Sequence, residues 1–170
     1  MSKADELAVA LDEFLAGSAE VEAAAVVSTE GLPMASALPP HVEEDRLAAM
    51  SGALLTLGER AASGLGKGEL AQVFVEGDQG YVVLMAAGGS AAVVAVTGES
   101  AKVGLLLFEM RRTAERVAEI MKWATASPGL EEDHDSTLMQ DQAPAEARTS
   151  SGMNEPVDSE ADSALSSWRS

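Results

Sequence analysis

Few residues in this chain are of types that could carry covalent or acid–base chemistry, and they are scattered. His41 and His134 are the two histidines among 170 residues, and there is no cysteine. Disulfides, Cys-ligated zinc and thiol catalysis are therefore excluded. His41 follows Pro39-Pro40, in a loop by its neighbours, while His134 sits in "EEDHD" (131–135). Such carboxylates can hold a hard cation, but inside a longer acidic run they read as solvated charge. Ser28, Ser36, Ser51 and Ser90 lie in no local motif that would activate a nucleophile. "GLGKGE" (64–69) resembles a phosphate loop, yet it follows a helix and opens onto a strand. A phosphate-holding loop has the opposite order, strand then helix N-terminus, so this stretch reads as a helix stop. Glu43-Glu44 marks a helix start, where the helix dipole already favours carboxylates. The expectation is a protein that is not an enzyme, with no metal and no cofactor.

The elements that would position any site follow from periodicity. Residues 3–16 set Leu7, Leu11, Phe14 and Leu15 on one side of an amphipathic helix, ended by Gly17-Ser18. Two short apolar stretches, 21–28 and 32–38, flank "TEG", whose Gly31 can take the positive φ of a tight turn. Pro33 suits the start of an edge strand. Residues 43–63 form a second helix with two stripes. Leu47, Met50, Leu54, Leu57 and Ala61 read as core-facing, and Ala48, Ser51, Leu55, Gly58 and Ala62 form a stripe of mostly small residues. Gly52 and Gly58 each cost such a helix about 1 kcal/mol relative to alanine, so close approach of another backbone is expected there. Residues 70–76 form a third strand.

"QGYVVLMAAGGSAAVVAVTG" (79–98) has no charged side chain over twenty positions, about the length of a membrane span. Its bulky residues fall in two β-favouring clusters on either side of Gly88-Gly89-Ser90, and its flanks are acidic. A soluble hairpin, not a membrane helix, is expected. The first arm is apolar on both faces, which requires cover on both sides of the sheet. A long helix over 101–124 closes the ordered part, with Glu99 or Ser100 placed to cap it.

Charge is uneven. The formal net charge is −17, and residues 130–170 hold ten acidic residues against Arg148 and Arg169, a net of −8. A segment so poor in bulky apolar residues cannot offset the entropy of ordering it, so 127–170 is expected to be an acidic disordered tail after a domain spanning 1–126. The acidity argues against nucleic acid and anionic membranes as partners, and it also fits a high-salt or high-GC source. The N-terminal stretch lacks the basic start and apolar core of a signal peptide, so a cytoplasmic location is expected.

With these elements in place, the chain resembles the Roadblock/dynein light-chain family. "AAAVVSTEGLPMASAL" (23–38) resembles that family's first hairpin. Residues 47–89 are similar to its central helix and following strands, and "KVGLLLFEMRRTAERVAEIM" (102–121) to its closing helix. The resemblance covers 3–125 and leaves the acidic tail aside. It implies an α/β (α+β) fold in the order α-β-β-α-β-β-β-α: a five-stranded, antiparallel-rich sheet between helices, extended across a homodimer.

The family resemblance also implies that third strands pair and central helices pack side by side. The dimer interface is then expected at Ala48, Ser51, Leu55, Gly58 and Ala62, with Gln72, Val73 and Phe74 on the strand. Members commonly bind small Ras-like GTPases, so the implied function is regulation of such a GTPase, in hydrolysis or exchange. The partner footprint is expected at Ala49, Gly52, Thr56 and Arg60. Arg46 and Arg60 are the only candidates for an arginine finger and read as ordinary helix arginines. The alternative implied by the family is a structural adaptor indifferent to nucleotide state. A small-ligand sensor is a remoter reading, because no concave set of aromatic and polar residues is visible in the sequence.

Overall fold

The structure, a computed structural model, describes residues 1–126. They form α1 (Lys3–Gly17), β1 (Val21–Ser28), β2 (Pro33–Ala37), α2 (Glu44–Gly64), β3 (Gln72–Gly77), β4 (Gly80–Ala87), β5 (Ala91–Gly98) and α3 (Val103–Ala126). The expected acidic tail and the His134 cluster lie outside the described residues.

The five strands make one antiparallel sheet in the order β2-β1-β5-β4-β3. Three neighbouring pairs are local hairpins. The fourth, β1 with β5, closes only after α2, β3 and β4 have been traversed, so the centre of the sheet depends on contacts distant in sequence. Pro33 opens β2 at one edge, where its missing N–H leaves no ladder bond unmade. The uncharged stretch 79–98 is the β4–β5 hairpin, turning at Gly88, whose φ is +71°. Among the described residues no helix is long and apolar enough to cross a membrane.

Both faces of the sheet are covered, as the apolar Tyr81–Met85 run requires. On one face Leu7, Leu11 and Phe14 of α1 and Leu106, Met110 and Val117 of α3 pack on Ala24, Val26, Val83, Val93 and Ala95. On the other, α2 alone packs Leu47, Ala48 and Leu55 on Ala25, Val27, Leu84 and Val94. Leu84 is fully buried, so truncation to alanine would cost about 2–5 kcal/mol.

Local signals fix the helix ends. Ser2 and Asp5 form a reciprocal capping box on α1: the Asp5 N–H donates to Ser2 Oγ at 3.2 Å, and the Ser2 N–H donates to Asp5 Oδ2 at 2.9 Å. The expected capping of α3 by Glu99 or Ser100 is corrected. The backbone N–H of Lys102 donates instead to Glu20 Oε2 at 2.7 Å, a carboxylate from the α1–β1 connection. Burial of α3 against the sheet brings that distant residue to the helix N-terminus, where negative charge is favourable.

Candidate functional site

The residues expected to carry function sit mainly on α2, so its faces decide what each can do. The two stripes exchange roles in part: Leu47 is core as expected, but Met50 and Leu57 face outwards and Ala48, Ser51 and Leu55 face inwards. Ala48, Ser51 and Leu55 are 1%, 2% and 6% exposed and belong to the chain's own core. The Ser51 hydroxyl turns back to the carbonyl of Leu47 at 2.7 Å. Leu47 is buried and Leu54 half-buried, whereas Met50 is 50% exposed, Leu57 67%, and Ala61 is exposed as well. Ala48, Ser51 and Leu55 are therefore not available to a second helix, which corrects their expected place in a dimer interface. The physical reason is distance. Small side chains let α2 lie close on β1 and β5 and on the β1–β2 turn, and that close approach is made within one chain.

Gly52 shows it most sharply. A Cβ built there would lie 2.6 Å from the Cα and 2.7 Å from the N of Gly31, the turn glycine with φ +86°. Gly52 is buried under that turn and cannot belong to an exposed partner footprint, a second correction. Gly58 likewise faces its own chain, with Leu70 and Val73 side chains 3.0 Å from a built Cβ. Ala62 is half-buried. Ala49, Thr56 and Arg60 are exposed, as expected of a footprint.

Strand β3 is the other edge of the sheet, and among the described residues nothing pairs with its free side. Gln72 and Val73 are half-buried, while Phe74 and Val75 are 39% and 38% exposed. Phe74 rests on Tyr81 of β4 with ring centroids 5.3 Å apart. Val73 packs towards α2, and Val75, two residues on, points to the same face of the sheet. The edge of β3 and the outer stripe Met50–Leu57 of α2 together leave considerable apolar surface open, of a kind that marks interaction sites.

Beside this surface lies a groove of about 790 Å³ at the C-terminal half of α2. Thr56, Glu59 and Arg60 form one wall, Glu69-Leu70 another, and the β4–β5 turn at Gly88-Gly89 a third. Glu59 is partly engaged, its Oε2 accepting the Leu70 N–H at 3.1 Å.

Among the described residues, Ser28, Ser36 and Ser51, singled out in the sequence, serve local structure. Ser28 Oγ accepts the Leu32 N–H at 3.1 Å, and Ser36 Oγ donates to Glu44 at 2.6 Å, so these hydroxyls serve turns and helix ends. Among the described residues no group of three or more acidic or histidine side chains is placed to hold a metal ion. The turn carboxylate Glu30 is held below its usual range by its own backbone N–H and by Ser28 and Thr29. The apolar outer stripe is what the sequence reading missed. Its signal was present in Gly52: the side of a helix that carries glycine is the side that touches another backbone.

Comparison with known proteins gives these features a family. The Roadblock/LC7 domain model matches residues 7–97. An uncharacterized protein of Methanocaldococcus jannaschii is 34% identical over 97 residues, spanning 57% of this chain and 84% of that one. In fold, the chain is similar to the gliding protein MglB of Thermus thermophilus, with TM-score 0.65 and 20% identity over 72% of this chain and 93% of that one. It is also similar to a Roadblock/LC7 domain of Streptomyces avermitilis, with TM-score 0.64 and 22% identity over 68% and 97% of the two chains. The order of elements, the antiparallel sheet and the matched residues agree: this chain belongs to the Roadblock/LC7 domain family.

Proposed function

We propose that the chain is a non-catalytic homodimer that regulates a small Ras-like GTPase by binding its switch region. The observation that carries this reading is the open apolar surface shared by the outer stripe of α2 and the free edge of β3. A strand with one free edge beside exposed leucine and methionine invites association, and a second copy offers a self-complementary surface. In such a dimer β3 would pair with its symmetry mate through the backbone of Gln72–Phe74, and two α2 helices would meet through Met50, Leu54 and Leu57. The small-residue stripe has no part in it.

The GTPase footprint lies on the flank of α2 at Ala49, Thr56 and Arg60. Regulation then works through differential binding: a surface that fits one arrangement of the switch segments shifts the GTPase towards it, in hydrolysis or in exchange. Arg60 acts as a binding residue, and no residue of this chain performs chemistry. The acidic composition is unsuited to nucleic acid, and the protein works in the cytoplasm without inserting into a membrane. Family membership supports the GTPase reading, because Roadblock proteins commonly bind such partners.

The test adds the full chain to candidate small GTPases and follows GTP hydrolysis and nucleotide release. A change in either rate that Arg60→Ala weakens supports the proposal. Binding with equal affinity in both nucleotide states and unchanged rates would make the protein a structural adaptor.

A further inference from the structure

The groove at the C-terminal half of α2 shares Thr56 and Arg60 with the proposed GTPase footprint, and its other walls add chemistry that neither a dimer nor a GTPase requires. Its floor is aliphatic: Leu55 and Ala91 are almost fully buried, with Leu70 and Ala86 half-buried beside them. Its rim holds charges of both signs. Arg60 and Thr56 have no hydrogen-bond or ion-pair partner among the described residues. Glu69 is likewise unpartnered there, and Glu59 uses one oxygen on the Leu70 N–H.

We propose that this groove binds a small aliphatic zwitterion, an amino acid or short peptide with free amine and carboxylate. Each part of the ligand has a counterpart. The guanidinium of Arg60 takes the carboxylate, for which its fork geometry is suited. Glu69 and the second oxygen of Glu59 take the ammonium group. The aliphatic body covers the exposed parts of Leu70 and Ala86 above the buried Leu55 and Ala91, removing apolar surface from water. Other ligand classes fit worse. No aromatic side chain lines the groove, so a nucleobase has nothing to stack on, and two carboxylates repel phosphate. At about 790 Å³ the volume falls among small-molecule sites and leaves room for more than one residue of peptide.

The experiment titrates the full ¹⁵N-labelled chain with leucine and, separately, with the tripeptide alanyl-leucyl-alanine. Saturable amide shifts confined to residues 55–60, 69–70 and 86–91 are expected, and whichever ligand saturates first identifies the size class. Arg60→Gln should weaken the tripeptide roughly tenfold or more, the loss of one charge-assisted contact. The same variant should bind the C-amidated tripeptide as the wild type does, since that ligand has no carboxylate to lose. Glu69→Gln should show the converse pattern, with the N-acetylated tripeptide as its indifferent ligand. Gly89→Phe fills the groove from a position whose Cβ meets open space, so the fold should persist while binding is lost. No saturation with either ligand up to about 10 mM, roughly tenfold above a dissociation constant of about 1 mM, would overturn the proposal. So would shifts centred elsewhere, or equal weakening of the free and blocked ligands by Arg60→Gln.

Discussion

Gly52→Ala tests the packing of α2 most sharply, because propensity and structure give it opposite signs. In an exposed helix the substitution stabilises by up to about 1 kcal/mol. Here the new methyl would stand 2.6 Å from Gly31 Cα, 2.7 Å from its N and 3.2 Å from the carbonyl carbon of Glu30. Carbon atoms in contact prefer about 3.5–4.0 Å, so the β1–β2 turn must retreat by about 1 Å. That turn is tied down. Gly31 N–H donates to Ser28 O at 3.0 Å, Ser28 N–H to Leu32 O at 2.8 Å, and Thr29 N–H to Ser90 O at 3.2 Å. Overpacking against backbone costs about 1–3 kcal/mol, and a weakened turn hydrogen bond costs about 1 more. After the helix gain the net loss is about 1–3 kcal/mol. Gly64→Ala is the control, since a Cβ there meets nothing within 4 Å; it should stabilise by up to about 1 kcal/mol. Urea unfolding followed by circular dichroism should move the two midpoints in opposite directions, by about 0.5 M or more for Gly52→Ala. A Gly52→Ala protein as stable as the wild type would refute the close approach of the turn.

Leu57→Glu places charge on an exposed position, so helix content should be unchanged while light scattering shows the mass of a monomer in place of the proposed wild-type dimer; an unaltered dimer would remove α2 from the interface. Asp5 is held below its ordinary value by the hydrogen bonds from the Ser2 hydroxyl and backbone. A depressed folded value means that its contribution is present above the unfolded value near 3.9 and is lost as pH falls through the folded one. Thermal midpoints recorded down to about pH 2 should therefore fall less steeply for Asp5→Asn than for the wild type. Arg116 pairs with Glu13 to join α3 to α1, with both side chains about half exposed. Arg116→Ala should cost less than about 1 kcal/mol, and less still at high salt.

The legible part of the fold was the part written in local pattern. Alternating and doubly apolar runs placed β1 to β5, Pro33 placed an edge, and Gly88-Gly89-Ser90 placed the turn that converts 79–98 from a span-length run into a hairpin. The face of α2 was not legible, because Met50–Leu54–Leu57 and Ala48–Ser51–Leu55 both satisfy helical spacing. Bulk pointed to the first stripe as core, but the surface beneath α2 includes Ala25 and Ala92 and the backbone of Gly31, which admit a helix only through small side chains. Glu20 at the start of α3 was hidden for a related reason: 82 residues separate it from Lys102. The groove was invisible because its walls come from α2, the loop after it and a β-turn, and no single window of sequence contains them.

Under the proposed function, this Roadblock chain distinguishes the nucleotide states of a small GTPase. The most direct measurement immobilises the full chain and passes native lysate over it, in parallel with GDP and with a non-hydrolysable GTP analogue. A Ras-like GTPase of about 20 kDa, identified by mass spectrometry, should be retained in one nucleotide state alone. Retention of the same non-GTPase partners in both states would contradict that function.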